Sequence, residues 1–190
     1  MTLGSFPATR LRRTRQAGFI RAMVRETHLA PEHLIAPLFV AEGALCGPIA
    51  SMPGVARLSL EELAAECQAL WAFGIKAVAI LPVIPPALKT DDGLEALNPS
   101  GLVPRAIKAV KAAAPEMGVI VDIALDPYTS HGQDGLLDEH GNVDNDSTSE
   151  ILRRQALVYA RAGADVVAPS DMMDGRVGAI RSVLERDGMK

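Results

Sequence analysis

Cysteine is nearly missing from this chain: Cys46 and Cys67 are the only two. Without a C-x-x-C spacing or a matching histidine pair they form neither a zinc ligand set nor a disulfide framework. Cys67, inside a helical pattern, reads as a small core residue. Aromatic residues are also scarce, 4% against a hydrophobic fraction of 48%, so the core must be assembled from Ala, Val, Leu and Ile, the mixture found in parallel α/β sheets. No apolar run approaches the ~20 residues of a membrane span, because stretches such as Val78 to Leu81 stop at prolines, and no apolar secretory segment is present. A net charge of −4 leaves no global positive field to gather nucleic acid or an anionic membrane. The expectation is a cytoplasmic protein whose partner is a small molecule. Positive charge gathers only at the start, where Arg10, Arg12, Arg13, Arg15, Arg21 and Arg25 all precede the first acid, Glu26. This arm imitates a transit peptide, yet it runs unbroken into a helical pattern of Phe19, Ile20, Met23 and Val24.

What is present is a repeated grammar. At 190 residues the chain fits one domain able to bury about 70% of its unfolded surface. Leu34 to Val40 (LIAPLFV) is an apolar run without alternation, predicting a strand buried on both faces. Ser59 and Glu62 form a capping box for a helix through Trp71 that stops at Gly74. Lys76 to Leu81 then reads as strand and Leu102 to Ala113 as helix, with Pro104 in its first turn and Pro115 as its stop. Val119 to Leu125 is the next strand, Asp126 to Asp146 a long loop, and Ser147 with Glu150 the predicted cap of a helix closing at Gly163. Asp165 to Ala168 and a helix through Val177, Ile180, Arg181 and Leu184 complete a fourth unit, ending at Gly188.

Four strand-then-helix units imply parallel strands joined by right-handed crossovers. A (β/α)8 barrel takes about 250 residues and eight such units, so the expectation is an arm over residues 1–33 and the first half of a TIM barrel over 34–190. A doubly wound sheet is the rival, weakened by the absence of G-x-G-x-x-G after any strand.

Barrel active sites lie at the C-terminal ends of strands, here Val40, Val83, Asp126 and Pro169 to Asp171. Asp122, Ala124 and Asp126 alternate and are expected on one side of their strand. An aspartate inside an aliphatic strand needs a donor or cation to offset desolvation, so Asp122 has either a structural partner or a chemical task. Asp134, in the loop P-Y-T-S-H-G-Q-D-G, either folds back over the strand end, helped by Gly132 and Gly135, or caps a turn. Converging carboxylates raise one another's pKa unless a cation or protonated amine sits among them, and hard oxygen donors favour Mg²⁺ or a monovalent ion over zinc. His131 reads as an ordinary hydrogen-bonding loop residue, with a general-base role as the alternative. The acidic stretch Asp138 to Asp146 fits no calcium-loop register and reads as solvated. Arg176 and Arg181 read as a solvated helix face, with substrate-carboxylate binding the alternative.

D-I-A-L-D-P-Y-T-S-H-G-Q-D-G from Asp122 to Gly135 resembles the metal-region segment of the porphobilinogen synthase (5-aminolevulinate dehydratase) family. A-P-S-D-M-M-D-G-R from Ala168 to Arg176 matches a second signature of that family, in the family order. R-E-T at Arg25, L-I-A-P-L-F-V at Leu34, S-M-P-G-V at Ser51 and K-T-D-D-G-L-E-A at Lys89 extend the likeness over essentially the whole chain. The resemblance implies condensation of two 5-aminolevulinate molecules to porphobilinogen, on the route to heme. It implies that Asp122 and Ser170 are catalytic and line the substrate pocket, with Asp126 and Asp134 beside it. Zinc-dependent members carry cysteines at the positions of Ala124, Asp126 and Asp134, so the resemblance is to an aspartate-rich branch. For that branch it implies Mg²⁺ or a monovalent cation held by Asp126 and Asp134, with no catalytic zinc. The arm before Leu34 resembles the extension by which family members embrace a neighbour in a homo-octamer.

One departure stands against these matches. The family's two Schiff-base lysines lie beyond A-P-S-D-M-M-D-G-R, whereas the lysines here are Lys76, Lys89, Lys108, Lys111 and Lys190. A lysine amine supplies the electrophilic iminium of this chemistry, so the 190 residues are expected to be the N-terminal portion of such an enzyme and inactive alone. The alternatives are a non-catalytic interaction fragment that assembles with full-length subunits, and a half-barrel lyase that closes by dimerising.

Overall fold

The computed structural model describes residues 4–189. The chain divides into two compact units, Met1–Ala30 and Pro31–Lys190. The first holds a 3₁₀ turn at Leu11–Arg15 and a short helix, α1 (Gly18–Met23), on the predicted apolar pattern. Within it the Arg21 guanidinium donates to the Arg15 carbonyl at 2.8 Å.

The second unit carries six strands, β1 (Ile35–Val40), β2 (Gly47–Pro48), β3 (Ala56–Leu58), β4 (Ala77–Pro82), β5 (Gly118–Ile123) and β6 (Val166–Pro169). Its helices are α2 (Leu60–Ala72), α3 (Leu102–Ala113), α4 (Asn145–Ala162) and α5 (Arg176–Arg186). The sheet order is β2-β3-β1-β4-β5-β6. β1, β4, β5 and β6 are mutually parallel neighbours, each added on the same side of the last. A doubly wound sheet would reverse direction at a switch point. The steady progression here is that of a (β/α) barrel. The short strands β2 and β3, which the sequence pattern did not announce, extend the other edge, β3 parallel to β1 and β2 antiparallel to β3.

Local chemistry explains most element ends. At α2 the Ser59 hydroxyl accepts from the Glu62 amide while the Glu62 carboxylate accepts from the Ser59 amide, the reciprocal box that satisfies two orphan donors. α4 starts earlier than its Ser147–Glu150 pattern predicts. Asp144 is its N-cap, accepting from the amides of Asp146 and Ser147, and Glu150 instead pairs with Arg153. An anionic cap is favoured by the helix dipole as well as by hydrogen bonding, so Asp144 displaces the serine. α4 closes at Gly163, whose φ of 110° is a conformation that a side chain disfavours.

β1 is not buried on both faces as its apolar run suggests: only Val40 is buried, and the residues before it are exposed or partly covered. In β5 the residues alternate, with Val119, Val121 and Ile123 buried and Ile120 and Asp122 only partly covered. The buried set joins Val78 and Ile80 of β4, Cys67 of α2, Ile107 and Val110 of α3, and Leu152 and Tyr159 of α4 in one core. Helices therefore cover one face, and the other carries Asp122. The register pairs Asp122 with Ala168, and two residues further along β6's direction comes Ser170.

Candidate functional site

The geometry gathers acids where β5 and β6 end. The Ser170 hydroxyl donates to the Asp122 carboxylate at 2.6 Å, across adjacent strands. Burial raises the Asp122 carboxyl above its ordinary value, the Ser170 hydrogen bond and the Ile123 amide pull it back, and the nearby charges of Asp171 and Asp134 push it up again. Asp126 is raised in turn by partial burial, then by Asp134 and Asp122. Asp122, Asp126 and Asp134 therefore share one electrostatic neighbourhood. Next to Asp134 the chain packs closely on α4: a Cβ at Gly135 would stand 2.5 Å from Thr148 Oγ1. Ala124 does not keep the expected alternation with the two acids. β5 ends at Ile123, and Ala124 is buried.

Lys89 is a member of this neighbourhood that sequence reasoning did not place. Its positive charge is near enough to lower the Asp126 carboxyl, offsetting part of the push from burial, Asp134 and Asp122. It stands in the loop after β4, which is tied to the loop after β5. The Thr90 amide donates to the Tyr128 carbonyl at 3.1 Å and the Ser130 amide donates to the Thr90 carbonyl at 3.0 Å. The Ser130 hydroxyl also donates to Asp91. His131 serves this latch. Its Nδ1 accepts from the Gln133 amide at 3.2 Å, which leaves Nε2 as the donor toward the Asp91 carbonyl at 3.2 Å.

The loop after β6 is braced from within. Asp171, its side chain 0% exposed, accepts from the Met173 amide at 2.7 Å and lies 2.9 Å from the Arg176 guanidinium. The Arg176 and Asp171 atoms of that pair are close but not aligned as a hydrogen bond. Arg176 also donates to the Met173 carbonyl at 2.8 Å. It is thus a partner for a buried charge, not part of a solvated face, because an unpaired carboxylate at that depth would cost several kcal/mol. Arg181, half-exposed and 3.1 Å from Glu185, does lie on the outer face of α5. The stretch after Asp138 is an exposed loop whose Asp138 carboxylate accepts from its own His140 and Asn142 amides.

Asp126 and Asp134 present hard oxygen donors suited to Mg²⁺ or a monovalent ion. They do not complete a shell: among the described residues no group of three or more His, Cys, Asp or Glu side chains stands close enough to hold a metal ion. No helix among the described residues is long and apolar enough to cross a membrane.

Residues 8–190 match the family described as Delta-aminolevulinic acid dehydratase. This chain belongs to the delta-aminolevulinic acid dehydratase family. It is 49% identical over 183 residues to the delta-aminolevulinic acid dehydratase of Bradyrhizobium diazoefficiens, covering 96% of this chain and 52% of the relative. It is 48% identical over 181 residues to the chloroplastic delta-aminolevulinic acid dehydratase of Selaginella martensii, covering 95% of this chain and 43% of that one. A crystal structure of the dehydratase (porphobilinogen synthase) from Toxoplasma gondii, in complex with the reaction product porphobilinogen, superposes with a TM-score of 0.92 at 47% identity. The superposition covers 95% of this chain and 52% of that one. The chain thus spans about half the length of the relatives it matches, and its parallel sheet is a partial barrel of the TIM-barrel family fold.

Proposed function

We propose that the protein carrying this chain is a porphobilinogen synthase, a hydro-lyase that condenses two 5-aminolevulinate molecules to porphobilinogen in heme biosynthesis. The observation that carries the reading is the Asp122–Ser170 hydrogen bond with Asp126 and Asp134 beside it. 5-Aminolevulinate carries an ammonium group, and a neighbourhood of mutually repelling carboxylates is relieved by such a cation. Asp122, raised by burial, is better matched to accept a proton near neutral pH than an exposed aspartate, and Ser170 orients it. These two are the catalytic residues of the proposal, with Asp126 and Asp134 lining the substrate pocket.

The same two aspartates supply part of a site for Mg²⁺ or a monovalent cation, with water completing the shell, and no catalytic zinc is involved. The covalent step requires a Schiff-base lysine. Lys76 and Lys111 serve the opposite end of the sheet, where Lys111 lies against Asp165 at the start of β6, while Lys108 is exposed on α3 and Lys190 lies outside the described residues. Lys89 stands on the acidic side, near enough to lower the Asp126 carboxyl. The 190 residues alone are therefore expected to be inactive. A homo-octamer assembled through the arm of residues 1–33 and a cytoplasmic location complete the proposal.

The test is to supply the full-length protein with 5-aminolevulinate and measure porphobilinogen. Formation of the pyrrole that is lost in Asp122→Asn supports the reading. Absence of any product from well-folded protein at every metal condition overturns it.

A further inference from the structure

Gln155 is a polar side chain in the wrong place for a bystander. It stands on α4 among Ile151, Leu152, Ala156 and Tyr159, all buried, and is itself 0% exposed. An amide sunk in an aliphatic core is costly unless it is hydrogen-bonded. Its nitrogen donates to the Ala124 carbonyl at 3.1 Å and to the Tyr159 hydroxyl at 3.2 Å, while its oxygen has no partner. The Tyr159 hydroxyl in turn lies 2.5 Å from that of Tyr128, these two rings being 1% and 3% exposed. Burial raises the Tyr128 phenol well above its ordinary value and that of Tyr159 to about 12, so both are neutral and the network carries no net charge.

The anchor points of this network bracket the acidic site. Ala124 lies between Asp122 and Asp126, just past Ile123, where β5 gives up its ladder. Tyr128 lies in the turn that follows Asp126, held by the Tyr128 and Thr129 amides donating to the Leu125 carbonyl at 2.8 and 2.9 Å. A carbonyl leaving a sheet inside a core must find a donor, and Gln155 provides it. The amide and the paired phenols together fix where the strand ends and how the chain turns, and hence where Asp126 is presented relative to Asp122.

We infer that Gln155 and Tyr159 are positioning residues for the Asp122 and Asp126 carboxylates, acting through the Ala124 carbonyl and the Tyr128 hydroxyl. The inference deepens the proposed function and rests on it for its kinetic arm, whereas its exchange arm is independent of activity. Gln155→Met keeps the volume and removes both donors. Tyr159→Phe keeps the ring and removes one link, and it serves if the first variant does not fold. In the full-length protein, Gln155→Met is expected to lower kcat by about tenfold or more, with KM changed less than about twofold, and to move the acid limb of the pH–rate profile. Tyr159→Phe is expected to give a smaller change of the same kind. Amide hydrogen exchange at Tyr128 and Thr129 is expected to quicken by about tenfold in Gln155→Met. A role confined to core stability would lower the melting temperature while leaving kcat per folded molecule, the acid limb and those two amides as in the parent, and that result overturns the inference. If the parent protein makes no porphobilinogen, the proposed reaction fails and the exchange measurement alone decides the positioning role: unchanged protection at Tyr128 and Thr129 overturns it and accelerated exchange supports it.

Discussion

Ser170 and Asp122, on neighbouring strands and distant in sequence, meet through a 2.6 Å hydrogen bond at the open end of the sheet. That contact is the largest downward influence on an Asp122 carboxyl that burial otherwise raises. Ser170→Ala should therefore move the Asp122 titration further up, by up to about one pH unit for one lost hydrogen bond. Rates measured across the acid limb in the full-length protein should show that limb displaced toward higher pH, with activity near neutrality reduced about tenfold. An unmoved limb would separate Asp122 from the reaction.

The sign of the stability effect at Asp126 follows from linkage. Its folded-state carboxyl lies above the ordinary value because of partial burial and the charges of Asp134 and Asp122. The folded state thus holds its proton longer than the unfolded chain. Stability is lost as pH rises from the unfolded value, about 3.9, through the folded one, and stays lost above it. Asp126→Asn should be more stable than the parent at neutral pH, by about 1–2 °C in Tm given the solvent exposure of the group. The gain should vanish below about pH 4. Thermal melts at the two pH values check both halves.

Arg176→Ala removes the partner of a carboxylate that is fully buried. Breaking such a pair is expected to cost about 3 kcal/mol, more than deleting a surface contact. Urea denaturation measures the loss, and Arg176→Lys should recover only part of it because a point charge does not replace the guanidinium fork. The double variant Asp171→Asn with Arg176→Ala should be less destabilised than Arg176→Ala alone, since no buried charge is then left unpaired.

Borohydride reduction in the presence of 5-aminolevulinate should leave the mass of the 190-residue chain unchanged. A stable adduct mapped to Lys89, the lysine beside Asp126, would assign to this chain the nucleophile that its family resemblance places elsewhere. Cysteines installed at Ala124, Asp126 and Asp134 of the full-length protein should turn its metal preference toward zinc, because thiolates are softer donors. Isothermal titration with zinc and magnesium reads the exchange of preference.

How far the sequence carried the reading differs between the fold and the site. The strand–helix succession was legible because aliphatic strands, glycine stops and the Ser59–Glu62 box each act within a few residues. β2 and β3 were not, since strands of two and three residues leave no periodic signal. The start of α4 was misplaced because the sequence offers two N-cap residues three positions apart, and the earlier one, Asp144, accepts from the amides of Asp146 and Ser147 and from the Ser147 hydroxyl itself. At the candidate site, strand-end position and family resemblance pointed to Asp122, Asp126, Asp134 and Ser170, of which Asp122 and Ser170 are joined by a hydrogen bond and the other two stand near enough to shift the Asp122 or Asp126 carboxyl. The surroundings of Lys89, Gln155 and Arg176 were not legible because their contacts cross between elements: a loop after β4 near one after β5, a helix under a strand end, and a helix start over a buried acid. Gln155 did leave a trace, a polar residue at a core position of an amphipathic helix.

The pairing of Thr90 with Thr129, reinforced by Ser130 and His131 on Asp91, gives the rim of the sheet a mechanical character. The turns that follow β4 and β5 are joined by a backbone bridge of two hydrogen bonds, so a swing of one without the other must break them. Lys89 and Asp126, which flank that bridge, thus sit on tied segments, and a displacement of either turn that uncovers the Asp126 carboxylate draws the neighbouring lysine charge along with it.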